Sequence, residues 1–278
     1  MGLYENLYVG DLNQTGDRII QLNNGRSFVE LASDTKQKWY EQSYSQKYVL
    51  GTTLRHYDRV FKYAKAGAAN LVAGNLLQSA ILMGATTTQQ IEIATGTAGA
   101  VGDNYLYVTA GTTAQAANTF KDGYIILNKA GGASSTIGYT YRIKSHGALT
   151  NAVACKVYLY DPLVAVVDAD AEVCIAANIY KGVIQVPVTT PTGSVVGVAP
   201  IAVTAAYYFW CQTWGPACVL AGTSNAIAVG KEIIRSTVAG AAGAQVAGAG
   251  SLATEYIGYA RSTPADSEGF MAELKISL

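Results

Sequence analysis

Charge is what this sequence has least of. Asp, Glu, Lys and Arg make up 14% of its 278 residues, against roughly a quarter in an ordinary soluble domain, and the signs cancel to a formal net charge of zero. So little charge keeps only a limited free surface soluble, so much of the surface is expected to be covered by copies of the chain or by a partner. Zero net charge also argues against a dedicated nucleic-acid binder, because neutralising phosphates takes clustered Lys and Arg. Histidine is scarcer still: His56 and His146 stand far apart, near Arg55 and Lys144, and read as surface or turn residues rather than ligands or bases. The four cysteines, Cys155, Cys174, Cys211 and Cys218, are spaced 19, 37 and 7 apart in apolar contexts. Zinc needs close pairs such as C-x-x-C, so free buried thiols are expected, with no metal and no cofactor.

Gly or Pro interrupts every apolar stretch, so no membrane-spanning helix is expected. The opening MGLYENLYVG has no basic segment followed by an apolar one, and Asn6 stands where a myristoylation motif wants Ser or Thr. Synthesis in a reducing cytoplasm follows as the expectation.

Tyrosine, by contrast, reaches 19 residues, beside abundant Gly, Ala, Val and Thr. The chain is organised around residues 180–221, YKGVIQVPVTTPTGSVVGVAPIAVTAAYYFWCQTWGPACVLA. Strand-like runs at 182–188 and 195–203 flank the turn-rich TTPTG, and a third run, 207–213, is closed by Gly215-Pro216, a pattern that predicts three short antiparallel strands. No charged residue lies between Lys181 and Lys231, so this stretch is expected in a core or against another protein. Tyr207, Tyr208, Phe209, Trp210 and Trp214 are its candidate contact residues.

Residues 1–50 differ in mixing dense charge of both signs with Trp39, Tyr40, Tyr44 and Tyr48. No strand or helix period persists there, which predicts an extended N-terminal arm whose aromatics dock on a neighbouring subunit or on the shell it joins. From residue 51 the pattern is all-β, and two small antiparallel sandwich or barrel units are expected. One comprises 51–85 with 178–278; the other, 86–177, is inserted, with strands at 90–94, 105–109, 124–127, 138–143, 152–160 and 172–176. Asp168, Asp170 and Glu172 alternate and would share a strand face, read as an exposed acidic edge rather than a calcium site, because the EF-hand glycine and distal glutamate are missing. Residues 71–82 read as strand or short helix with a turn at Gly74-Asn75. The AAGAQVAGAG segment reads as a loop or a close-packed interface. In the closing MAELKISL, Met271, Glu273 and Lys275 are expected outward and Ala272, Leu274 and Ile276 inward.

The succession GTTLRHYDRVFKYAKAGAANLVAGNLLQS, TYRIKSH, VYLYDPL, YKGVIQVP, GVAPIAVTAAYYFWCQTWGPACVL and IGYA resembles the auxiliary capsid proteins of tailed bacteriophages, also called decoration or cement proteins. Residues 50–278 carry the resemblance, mostly in GVAP and QTWGPA; the arm has no counterpart in it. The resemblance implies a β-rich, non-enzymatic virion protein, a homo-oligomer and often a trimer, that binds the major capsid protein on the outside of the head. A phage fibre or carbohydrate-binding module is the alternative, since Tyr and Trp stack on sugar rings, but Tyr207 to Trp210 sit among apolar residues. An enzyme would need a nucleophile with a base, or paired acids, in a cleft, and the residues to build one are sparse. A major shell protein would show a long amphipathic helix, and no such stripe can be drawn.

Overall fold

The computed structural model describes residues 37–80, 97–109, 114–129, 137–188, 192–223, 226–245 and 255–278, with the backbone of strand segments at 8–9, 19–21, 27–29 and 90–93. In chain order the strands are β1 (Tyr8–Val9), β2 (Ile19–Gln21), β3 (Ser27–Val29), β4 (Thr53–His56), β5 (Arg59–Ala66) and β6 (Leu76–Gln78). Then come β7 (Gln90–Ile93), β8 (Tyr105–Thr109), β9 (Tyr124–Lys129), β10 (Thr140–His146), β11 (Ala154–Leu159) and β12 (Glu172–Ala176). The last are β13 (Lys181–Gln185), β14 (Val195–Val198), β15 (Tyr208–Leu220), β16 (Glu232–Arg235), β17 (Ala242–Ala244), β18 (Tyr256–Ala260) and β19 (Gly269–Lys275). No helix occurs among the described residues, and the protein is all-β. Its contacts divide it into Met1–Ala80 with Ile179–Leu278, and Ile81–Asn178.

The second unit is a closed barrel in the order β7-β8-β11-β10-β9-β12, antiparallel throughout. Period-two alternation builds it. Leu106 and Val108, Val157 and Leu159, and Ile125 and Leu127 all point into one core, while their neighbours on each strand face outward. Each such aliphatic side chain, fully buried, contributes about 1.5–3 kcal/mol. The acidic alternation does not form a strand face. Asp168 and Asp170 lie in the turn before β12, and Glu172, at its first position, pairs with Lys129. His146 is no surface residue either: its buried ring accepts the Phe120 amide at Nε2 (2.9 Å), and its Nδ1 donates to the Gly147 carbonyl (2.6 Å). That pairing satisfies backbone polar groups of a loop that strand reasoning leaves blank.

In the first unit β5, β13, β6, β14 and β15 pair in succession, and β15 returns to β5, closing a ring. The three strands expected from residues 180–221 therefore exist, but β13 and β14 are not neighbours. β6 lies between them, its Gln78 facing both Ile184 and Val195, and β13 runs parallel to β5. The ring's interior is narrow and takes small residues: Ala64, Ala66 and Cys211 pack there with Leu77, Val183 and Phe209.

Strand β15 does not stop at Gly215-Pro216 but continues to Leu220, thirteen residues in all. Residues 208–214 pair with β5 and residues 214–220 with β19, and the register slips at Thr213. Thr213 is buried at that bulge, its hydroxyl donating to the Ser277 carbonyl (2.6 Å). Pro216, which has no N–H to give, is tolerated beside the bulge. From β15 the sheet continues through β19, β18, β16 and β17 and curls until Ala242 bridges Ala221. Ala241, Ala242 and Ala244 are thus buried rather than in a loop or between neighbours, because this curl closes on Ile233, Ile257, Phe270 and Leu274 and leaves room only for methyl groups; residues 246–250 of the same segment lie outside the described residues. In β19 Phe270, Ala272 and Leu274 are buried while Met271 and Lys275 are exposed, the alternation expected.

Gly215 makes the partner change possible. Its φ is +83°, and a Cβ there would stand 2.4 Å from the Asp58 carbonyl oxygen. Gly215→Ala is expected to lower unfolding stability by about 2–4 kcal/mol, measured by urea denaturation; a loss under about 0.5 kcal/mol would show that the bend tolerates a side chain.

Candidate interaction surface

The part of the expected arm whose side chains are described, residues 37–50, packs back on its own chain. It is a strap on the chain's own first unit. Alternation sends Phe209 and Cys211 of β15 into the ring and Tyr208 and Trp210 to the opposite face, where they join Phe61, Tyr63 and Leu54. This outer aromatic layer needs a cover, and Trp39, Tyr48 and Leu50 supply it. Ser43 bridges Tyr208 with both backbone hydrogen bonds (2.9 and 2.8 Å).

Gln37 fastens the strap. Its side-chain N–H groups donate to the Tyr208 and Glu41 carbonyls (2.9 Å each), its Oε1 accepts the Tyr63 hydroxyl (2.7 Å), and its own carbonyl accepts the Trp210 indole N–H (3.0 Å). A buried amide that satisfies every polar group around it is what lets two aromatic polar tips remain buried. Residues before Gln37, apart from the backbone segments named above, lie outside the described residues.

The expected contact residues therefore separate into groups. Phe209 and Trp210 are 0% and 1% exposed and cannot touch a shell or a subunit, because the chain's own alternation buries them on opposite faces of β15. Tyr48 is half-buried against Tyr63 and Trp210, at 5.3 and 5.1 Å between ring centres. Tyr208 is half-buried and stacked on Tyr63 at 5.9 Å. Trp214 is half-buried at the bulge, facing both Val60 and Lys275. Tyr40 and Tyr44 are open, at 49% and 77% exposure, and Tyr44 meets the edge of half-buried Tyr207 at 5.7 Å.

Sequence reasoning misses the rest of this surface. The β4–β5 hairpin turns on Tyr57 and Asp58, and Tyr57 is 71% exposed with φ +55°. A bulky residue in the left-handed region costs about 1–3 kcal/mol, and Tyr-Asp is not the Asn-Gly pair that two-residue hairpins favour. Tyr57 packs on His56 (4.6 Å), His56 lies 6.2 Å from Trp39, and Trp39 meets Tyr40 edge-on (5.3 Å). The result is a row of four rings at the strap's edge. The Arg59 guanidinium stands 4.3 Å over Trp39, which also stacks on Phe61 at 5.8 Å. Burial holds Arg59 below the usual guanidinium value, with Asp58 opposing that shift. Beside this row lies a groove of about 570 Å³, lined by Pro200, Pro216, Phe270 and Met271 together with Trp39 and Arg59.

Reactive groups are not gathered here. Among the described residues no group of three or more His, Cys, Asp or Glu is placed to hold a metal ion. Burial pushes the Cys155, Cys174 and Cys211 thiols upward, away from the thiolate that would make them nucleophiles. Cys218 is exposed, contrary to the expectation of four buried thiols, because its position on β15 faces out opposite Met271. Comparison with known proteins adds nothing to this description: no family model, no curated protein and no solved structure matches the chain.

Burial pushes the Tyr63 hydroxyl up to about 12, from an ordinary value near 10. A phenol whose folded value exceeds its unfolded one contributes stability that is whole below pH 10 and is lost as pH rises toward 12. Wild type is therefore expected to lose stability more steeply over that window than Tyr63→Phe, which itself costs about 1–2 kcal/mol at neutral pH by leaving the Gln37 Oε1 without its donor. Denaturant titrations from pH 8 to 11.5 check this, and parallel losses in the two proteins would assign the titration to other groups.

Proposed function

We propose that the chain is a structural virion protein of a tailed bacteriophage that binds the outer surface of the head shell, contacts the major capsid protein and stabilises the shell as a decoration or cement protein, acting as an oligomer of itself. The observation that supports this best is the row Tyr40, Trp39, His56, Tyr57 with Arg59 over Trp39, held on a hydrogen-bonded strap and a two-residue hairpin. Aromatic and Arg side chains on a rigid support are what protein interfaces use as anchors, because little entropy is lost when they are covered. Low overall charge and the resemblance in residues 50–278 point the same way.

Attachment is expected to depend on the open ends of that row. Tyr40→Ser combined with Tyr57→Ser should weaken binding to shells lacking the protein by tenfold or more in a sedimentation assay, while the melting temperature stays within a few degrees of wild type. Light scattering on the purified protein should report an oligomer, a trimer in the simplest case. Unchanged attachment by the double variant would remove the row from the interface, and a wild-type monomer with no affinity for shells would refute the proposal.

A further inference from the structure

On three neighbouring strands of the β7–β12 barrel, the outward residues carry charge of one sign. Strands β8, β11 and β10 are neighbours in that order and read YLYVT, ACKVYL and TYRIKSH, without an Asp or Glu among them. With the aliphatic residues turned inward, the wall displays Tyr105 and Tyr107, then Lys156 and Tyr158, then Arg142 and Lys144. Lys156 faces Tyr107 across the ladder and Tyr158 faces Tyr105. The Lys156 ammonium lies 3.7 Å from the Tyr105 ring centre, 5.3 Å from Tyr158 and 5.7 Å from Tyr107. On the next ladder Ser145 faces Tyr158, and the register shift between Ile143 and Ser145 leaves exposed Lys144 beside it. Arg142 stands 5.8 Å over the exposed Tyr124 ring. Of the acids near this wall, Asp122 is buried and accepts the Tyr160 hydroxyl (3.0 Å), Asp103 accepts the Ala100 amide before β8, Asp161 lies beyond the end of β11, and Glu92 on the adjoining β7 faces Thr109, at the end of β8 away from Tyr105.

Ammonium and guanidinium groups lying over tyrosine rings suit a ligand that brings carboxylates and hydroxyls together. We propose that this wall binds an acidic polysaccharide, its carboxylates meeting Lys156, Lys144 and Arg142 while tyrosine hydroxyls and ring edges take the sugar hydroxyls and C–H faces. Single-stranded nucleic acid would bring anions too, but its bases need open ring faces. Here Lys156 covers Tyr105 and Arg142 covers Tyr124, and Tyr105 and Tyr107 stand at 83° to each other rather than as one platform. A protein partner is disfavoured because interface centres are depleted of Lys, and Lys156 is at the centre of this wall. The inference concerns the second unit and does not rest on shell attachment.

Native gels cast with polygalacturonate, with neutral dextran or with neither, run on the full chain, test it. A parallel binding titration uses a single-stranded oligothymidylate. Wild type is expected to be retarded by polygalacturonate and not by dextran, and to bind oligothymidylate at least tenfold more weakly than polygalacturonate. Lys156→Met, which keeps the stem over the rings, and Tyr158→Ser should each reduce the retardation at least tenfold with unchanged far-ultraviolet circular dichroism; Lys144→Met at the exposed bulge serves if either fails to fold. No retardation of wild type, retention of binding by the folded variants, equal retardation by dextran, or tighter binding of oligothymidylate would each overturn the proposal.

Discussion

One strand has to serve two closed sheets, and most of the first unit follows from how β15 does it. A β-strand has two edges, and a ring uses both. By slipping register at Thr213 and turning at Gly215, β15 spends its first half on β5 and its second on β19, so a single continuous element joins the two cores. The cost is local: a buried threonine at the bulge, a left-handed glycine pressed against Asp58, and a proline where the ladder has just changed partners. The same alternation that fills the ring with Phe209 and Cys211 puts Tyr208 and Trp210 outside it, and so creates the face that the strap must cover.

The strap shows why a stretch without periodicity is still structured. It buries Leu50 outright and half-buries Trp39 and Tyr48, which against a backbone ordering cost of about 1–2 kcal/mol per residue is not enough by itself. What tips the balance is that the cover also satisfies polar groups. Tyr63 and Trp210 each carry one donor that would otherwise be buried unpaired, and Gln37 takes both, one on its side chain and one on its carbonyl.

Much of the fold was legible because it is written in the two-residue period. Tyr105–Thr109, Glu172–Ala176 and Tyr256–Ala260 begin and end where alternation says they should, and the outward and inward faces of β19 follow the same rule. What alternation does not contain is pairing. β6 is three residues, all buried, too short to show a period, yet it separates β13 from β14; nothing local in LLQ says so. The reading of Gly215-Pro216 as a stop failed for a related reason, since turn residues in a strand can also mark a bulge, and only the partner strands decide which. At the candidate surface, composition singled out Tyr40 and Tyr44 and could not tell them from Phe209 and Trp210, because both faces of β15 are covered by other parts of the chain and the outer edge of the strap is not. Tyr57, His56 and Arg59 read as the ends of two neighbouring strands and a surface histidine, but nothing local in the sequence says that they gather with Trp39.

The scarcity of charge and the abundance of tyrosine are two sides of one arrangement. Ion pairs do form, as between Lys129 and Glu172 and between Arg261 and Glu273, but many cations instead lie over rings: Lys38 over Tyr40, Arg59 over Trp39, Lys65 over Tyr208, Lys156 over Tyr105 and Lys275 over Tyr259. Exposed ion pairs contribute about 0–1 kcal/mol and weaken with salt, whereas a cation on an aromatic face contributes about 0.5–1 kcal/mol at exposed sites and more when desolvated. A ring also lets the aliphatic stem of the lysine or arginine pack while the charged head stays at the surface. A ring then offers a cation a partner that carries no opposite charge. Such a surface is amphipathic and, on the wall of β8, β11 and β10, locally biased toward anions although the chain as a whole is neutral.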